Sequence, residues 1–324
     1  MDDDSRRARL LSIKLTTLVR EHTGVTDVQS SDSFGGGAAL MVDSTAWVLL
    51  DRHPDRGLGG ALAWAVRREA TSVQVLAEEA TGLLARRAAG FTMPICVWQV
   101  DGRSLKPAVA LPLSPPEGVS AEHAELAADV MEAGAHPVVE HGVLAGEVVG
   151  LEVCRVVTDA YTGMVRLEVG VGAHDREAFQ LLHGDRPTVE ALTDVVRAVA
   201  KHRRPGAARH PLNLLAQERA LRARLVAEPA LINATEVREV APPLKRGNVK
   251  DPVPCIATAT IDGRVTAVVC SSGVDLDVMP YAIDARIMLG VERCLVVMPS
   301  RDVLGIQLQL AALANPPLTV AGVD

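Results

Sequence analysis

Asp43, Asp51 and His53 are the first residues along the chain whose types and spacing suit chemistry. Asp51, followed two places later by His53, approaches an acid–spacer–base pattern, and Asp43 in the preceding turn supplies a second carboxylate. Two carboxylates and a base are what a Mg2+- or Mn2+-dependent phosphodiester hydrolase uses to hold its metal and activate water. The same residues also read structurally, with Asp43 as a turn former and Asp51 and Asp55 as the approach to a helix. No GxSxG elbow, zinc-spaced Cys/His set or helix-turn-helix pattern accompanies them.

The clearest charge anomaly is the stretch from Arg197 to Lys250. Its core is Arg197, Lys201, His202, Arg203, Arg204, Arg209 and His210, with Arg219, Arg222, Arg224, Arg238, Lys245 and Arg246 beyond. Guanidinium-rich stretches suit phosphate, because one arginine can fork onto two oxygens. The alternative is a solvated helix end, since cations are favoured at a helix C-terminus.

Weaker constellations also allow two readings. His183, His202 and His210 with Asp175, Glu177 and Glu218 match no metal spacing, so capping or surface roles are expected. Arg56-Gly57-Leu58-Gly59-Gly60 opens a helix whose N–H groups could cradle an anion, yet no Lys-Ser/Thr follows as in a P-loop. Glu152 and Glu168, near Asp159, sit on alternating strands where a solvent face is the simpler reading.

Composition narrows the classes. The 324 residues carry a net charge of −7, with 48% hydrophobic, 23% charged and only 2% aromatic residues. The chain is long enough for two or three domains with real cores. Its acidity argues against a surface that coats nucleic acid throughout, while leaving room for a local basic site. The five scattered cysteines read as reduced thiols and not as a disulfide framework. The acidic start MDDDSRRARLLSIKL lacks the apolar core of a signal peptide, and no apolar run is long enough to cross a bilayer. A cytoplasmic location is the expectation.

Hydrophobic periodicity places these residues on an α/β framework. An amphipathic helix over 5–22 and a candidate strand VTDVQ precede the hairpin GAALMV/TAWVLL. Helix, strand, helix and strand then follow to residue 100. A similar series starts with a helix over 211–226, continues through ALINATEVREV, and reaches the hairpin IATATI/RVTAVV and the end of the chain. The turns Asp43-Ser44 and Asp262-Gly263 occupy equivalent places. The expected architecture is two copies of a helix-strand-strand-strand-helix-strand-helix-strand unit flanking a middle α/β module. The expected boundaries are 1–110, 111–207 and 208–324. The middle module contains a Pro-rich connector, a long hairpin at 147–172, a short helix over 175–182 and a clear helix over 188–202.

That element order resembles the core of the restriction-endonuclease-like, PD-(D/E)XK nuclease superfamily, over residues 5–77 and 211–298. The resemblance implies an acid on the second strand, and an acid, spacer and lysine on the third. This chain departs from it. Arg264 to Cys270 carries neither acid nor lysine, and the first copy offers only Asp43, Asp51 and His53. The expected function is therefore a non-catalytic binding or scaffold protein, with no cofactor, that contacts nucleic acid or another polyanion through 197–250. The alternatives are a divergent Mg2+- or Mn2+-dependent nuclease and a self-associating interaction protein, a homodimer included.

Overall fold

The computed structural model describes residues 3–25, 32–183, 188–204, 206–208, 210–247 and 252–324. The chain opens with α1 (Asp3–Thr23), β1 (Asp32–Phe34), β2 (Gly37–Val42), β3 (Thr45–Leu50), α2 (Leu58–Val66), β4 (Ser72–Ala77), α3 (Thr81–Ala88), β5 (Ile95–Asp101) and β6 (Ser104–Pro107). Its middle contains α4 (Ala121–Glu125), α5 (Ala127–Glu132), β7 (His136–Glu140), β8 (Val143–Val148), β9 (Leu151–Thr158), β10 (Val165–Val169), α6 (Gly172–His183) and α7 (Thr188–Arg203). It closes with α8 (Gln217–Ala227), β11 (Ala234–Val240), β12 (Cys255–Ile261), β13 (Arg264–Cys270), α9 (Val278–Leu289), β14 (Cys294–Pro299), α10 (Gly305–Leu313) and β15 (Thr319–Val323). The protein is α/β, with three sheets and helices between strands.

The chain divides into two compact units. The first is residues 1–113 with 274–292 and 303–320; the second is 114–273 with 293–302 and 321–324. The segment expected at 1–110 lies in the first unit, whereas the segment expected at 208–324 is shared between them.

In the first unit the sheet runs β1-β2-β3-β4-β5-β6, antiparallel through β3, parallel from β3 to β5 and antiparallel again at β6. Asp43 at φ 52° lets the β2–β3 hairpin close in a tight turn. Leu15, Leu18 and Val19 of α1 pack on Leu40, Trp47, Leu49 and Leu76, which alternate along their strands. The intervening Ala39, Val48 and Val75 are also buried, and α2 and α3 pack against β4 and β5. Helices α9 and α10 pack in turn on α2, and α9 also on α3.

The second unit contains an antiparallel meander, β10-β9-β8-β7, and a sheet ordered β11-β12-β13-β14-β15. In the latter β11 to β13 are antiparallel and β14 is parallel to β13. Two of its features escape periodicity. Residues 147–158 divide into two strands at Val149 (φ 47°) and Gly150 (φ 76°), and the β7–β8 hairpin precedes that turn. A side chain at Gly150 would come within 2.3 Å of the Arg219 backbone, so only glycine permits α8 this approach. The candidate strand VTDVQ falls mostly outside the described residues.

Candidate functional site

The acid–base set does not converge. Asp43 lies in the turn before β3 and Asp51 immediately after it. Six extended residues hold the two ends about 20 Å apart. One divalent ion cannot be shared across that distance, which removes the two-carboxylate arrangement. Asp51 is instead ion-paired with Arg7 of α1 at 2.6 Å. His53 is exposed in the left-handed region (φ 48°) and caps a short 3-10 turn, Pro54–Arg56, that leads into α2. Among the described residues no group of three His, Cys, Asp or Glu side chains is placed to hold a metal.

What His53 does border is a trench in the first unit. One stretch, of about 440 Å3, lies between the Phe34-Gly35-Gly36 turn and α2. Arg52, His53, Arg56, Arg67 and Arg68 line it with the rings of Phe34 and Trp64. An adjoining stretch of about 490 Å3 shares Arg52 and Phe34 and extends along the first turns of α1 to Arg7 and Asp51. Arg68 lies over the Trp64 ring, 4.0 Å from its centroid, as a cation on an aromatic face. Arg52 pairs with Asp4 at 3.0 Å, Arg56 with Asp275 at 3.1 Å and Arg68 with Asp32 at 2.5 Å. Arg67 makes no ion pair among the described residues. Solvated pairs of this kind contribute about 0–1 kcal/mol, so a polyvalent anion displaces them readily.

The start of α2 does bind an anion, but an internal one. Gly59 N–H donates to Asp277 Oδ1 at 2.9 Å. A side chain at Gly59 would collide with the Leu276 carbonyl at 2.2 Å, so the glycine run serves close packing. Asp277 Oδ2 accepts from Arg87 at 2.9 Å, and Asp284 takes Arg86 and Arg87 at 2.8 and 2.7 Å. All four charges are buried: Asp284 is 0% exposed and Arg87 1%. Burial pushes the Asp277 carboxyl up to about 6, against the pull of Arg87 and the Gly59 N–H.

The basic segment of the second unit disperses. Arg203, at the end of α7, turns inward and donates to the carbonyls of Val149, Leu212 and Leu215 at 2.9, 2.7 and 3.0 Å. It clamps irregular backbone and does not face solvent as a phosphate ligand would. The His202 and His210 rings stack 3.8 Å apart, and His210 Nδ1 accepts the Leu212 N–H. Burial, then His210 and Lys201, push the His202 imidazole down, towards the neutral form. Lys201 and Arg204 are exposed, and Arg197 pairs loosely with Asp194 at 3.9 Å. Arg209 lies outside the described residues.

The remaining constellations also resolve. Asp175 and Glu177 are exposed on α6, Glu218 is buried on α8, and the His183 side chain lies outside the described residues. Glu152 and Glu168 are bridged by a cation: Arg176 lies 2.9 Å from the first and 3.6 Å from the second. Sequence reasoning missed the acids that matter most. Glu140 and Glu147 take Arg219 and Arg222 of α8, whereas Asp277 and Asp284 take Arg86 and Arg87. The available signal was a single acid inside an apolar helix, as in VMPYAIDARIML, since such a charge must find a buried partner. Compared with protein-family models, curated proteins and solved structures, the chain matches none.

Proposed function

We propose that this is a non-catalytic binding protein that holds a single-stranded nucleic acid along the trench of its first unit. The observation carrying this reading is the convergence of Arg52, Arg56, Arg67 and Arg68 with Phe34 and Trp64 around one elongated depression. Guanidinium groups neutralise successive phosphates, and the half-buried Phe34 ring offers a face to a base, while the buried Trp64 supports Arg68 from beneath. We place the contact in the trench and not in the 197–250 segment, because Arg203 donates to backbone carbonyls and Arg222 is fully buried against Glu140. The proposal keeps the idea of a nuclease-like scaffold in two copies, and the common order of helices and strands at the two ends of the chain supports it. Catalysis is not part of the proposal, since Asp43 and Asp51 flank opposite ends of β3.

The test is binding of a fluorescently labelled short oligothymidine to the full chain. Arg67→Glu with Arg68→Glu is expected to abolish it. Reversing Arg197, Lys201 and Arg204 is expected to leave it unchanged. The opposite pattern returns the contact to α7, and tight binding of an acidic peptide in place of the oligonucleotide overturns the nucleic-acid assignment.

A further inference from the structure

The second unit contains a smaller, more enclosed pocket of different chemistry. It lies on the β7–β8–β9 meander beside α8, with an accessible volume of about 50 Å3. That admits a few waters, at roughly 10–15 Å3 each, or one tetrahedral oxyanion, but no polymer. Its lining carries two carboxylates, Glu140 and Glu152, and four permanent cations, Arg155, Arg219, Lys245 and Arg246.

The two carboxylates are already engaged. Glu140 accepts from Arg219 and from Arg222, the latter at 2.8 Å. Glu152 holds Arg155 at 3.0 Å and Arg176 at 2.9 Å. Behind them Glu147 takes Arg219 at 2.5 Å and Arg222 at 3.5 Å. Arg222 is itself 0% exposed, and its Nε and Nη2 find no hydrogen-bond acceptor. Lys245 and Arg246 have no hydrogen bond or ion pair among the described residues, although Arg246 is half-buried. Burial and the neighbouring Arg219 oppose its charge, and Glu152, Glu147 and Glu140 offset them only in part. Three guanidinium groups and one ammonium thus line one small space whose two carboxylates are already paired with Arg155 and Arg219, an excess of positive charge that an anion relieves.

We infer that this pocket binds a single phosphate-type oxyanion, free or as the head of a small phosphate monoester, between Arg155, Arg219, Lys245 and Arg246. The inference is independent of the trench, which lies in the other unit. Lys245 and Arg246 supply the uncommitted donors, and Arg155 and Arg219, pinned by Glu152, Glu140 and Glu147, supply fixed ones.

The experiment is calorimetric titration of the full chain with inorganic phosphate at constant ionic strength, with glycerol phosphate as a second probe and chloride as the control. Phosphate is expected to bind, and Arg246→Ala with Lys245→Ala to weaken it about tenfold or more. Both side chains stand outside the buried ion network, so the variant is expected to unfold at the wild-type urea concentration. Arg197→Ala, on the exposed face of α7 and outside both sites, is expected to leave phosphate affinity unaltered. Tighter binding of glycerol phosphate than of free phosphate assigns the ligand as a monoester; the reverse assigns the free ion. Phosphate heat no greater than chloride heat, or affinity equal in wild type and the double variant, overturns the inference.

Discussion

Both units bury a pair of helical arginines against a pair of acids, and the two clusters differ in where they end. In the first unit Arg86 and Arg87 meet Asp277 and Asp284, with charges balanced and Asp284 and Arg87 almost wholly out of water. In the second, Arg219 and Arg222 meet Glu140 and Glu147, but Arg219 also borders a pocket in which Lys245 and Arg246 have no ion pair among the described residues. A balanced, sealed cluster fixes how helices pack and offers nothing to a ligand. An unbalanced one with an opening keeps an electrostatic demand that its own residues do not meet.

The largest effect should come from breaking the sealed cluster. Asp284→Ala removes the ion-pair partner of the buried Arg86 and one of the two of Arg87, and urea unfolding should show a loss of about 3–5 kcal/mol. In the second unit Arg222→Met is expected to cost less, about 1–3 kcal/mol, because Arg219 still holds both Glu140 and Glu147. A larger loss for Arg222→Met than for Asp284→Ala would reverse the contrast between the clusters.

A third effect, similar in size to the second, lies in pH. Asp277 binds its proton near pH 6 in the folded chain, above the ordinary aspartate value of 3.8. The folded state therefore gains protons before the unfolded state as pH falls, and stability from this group rises between pH 7 and about 4. Relative to Asp277→Asn, the wild type should gain about 1–3 kcal/mol over that window. Glu140 acts in the opposite sense. Burial pushes its carboxyl up, but Arg219 and Arg222 outweigh this and hold it below 4.5, so its contribution is lost only at lower pH. That loss is common to both proteins and cancels in the difference. A flat difference curve from pH 7 to 4 would remove the strained carboxylate from the sealed cluster.

These contrasts also explain what could be read in the sequence. The hairpins at Asp43 and Asp262, the helices α1 and α7, and the Ser120 cap of α4 follow from local turn chemistry, periodicity and capping. The split of 147–158 was hidden because Val149 adopts a positive φ that a β-branched residue rarely takes, inside a run that otherwise alternates as one strand. The sites were less legible. The basic segment is a run only in one dimension; in space Arg203 caps backbone, Arg219 and Arg222 meet acids about 80 residues earlier, and Lys245 and Arg246 border a small pocket in the same unit. The trench is not visible as a run because its arginines are spread over residues 52 to 68 and are gathered by the bend from β3 into α2.

The dependence of oligothymidine affinity on salt tests the central claim most directly. Four arginines neutralising phosphates of a single strand predict a slope of about −3 for log affinity against log salt, at roughly −0.7 per phosphate, falling to about −1.5 when Arg67 and Arg68 are removed. An affinity insensitive to salt, or a slope unchanged by that double substitution, would contradict the assignment of the trench.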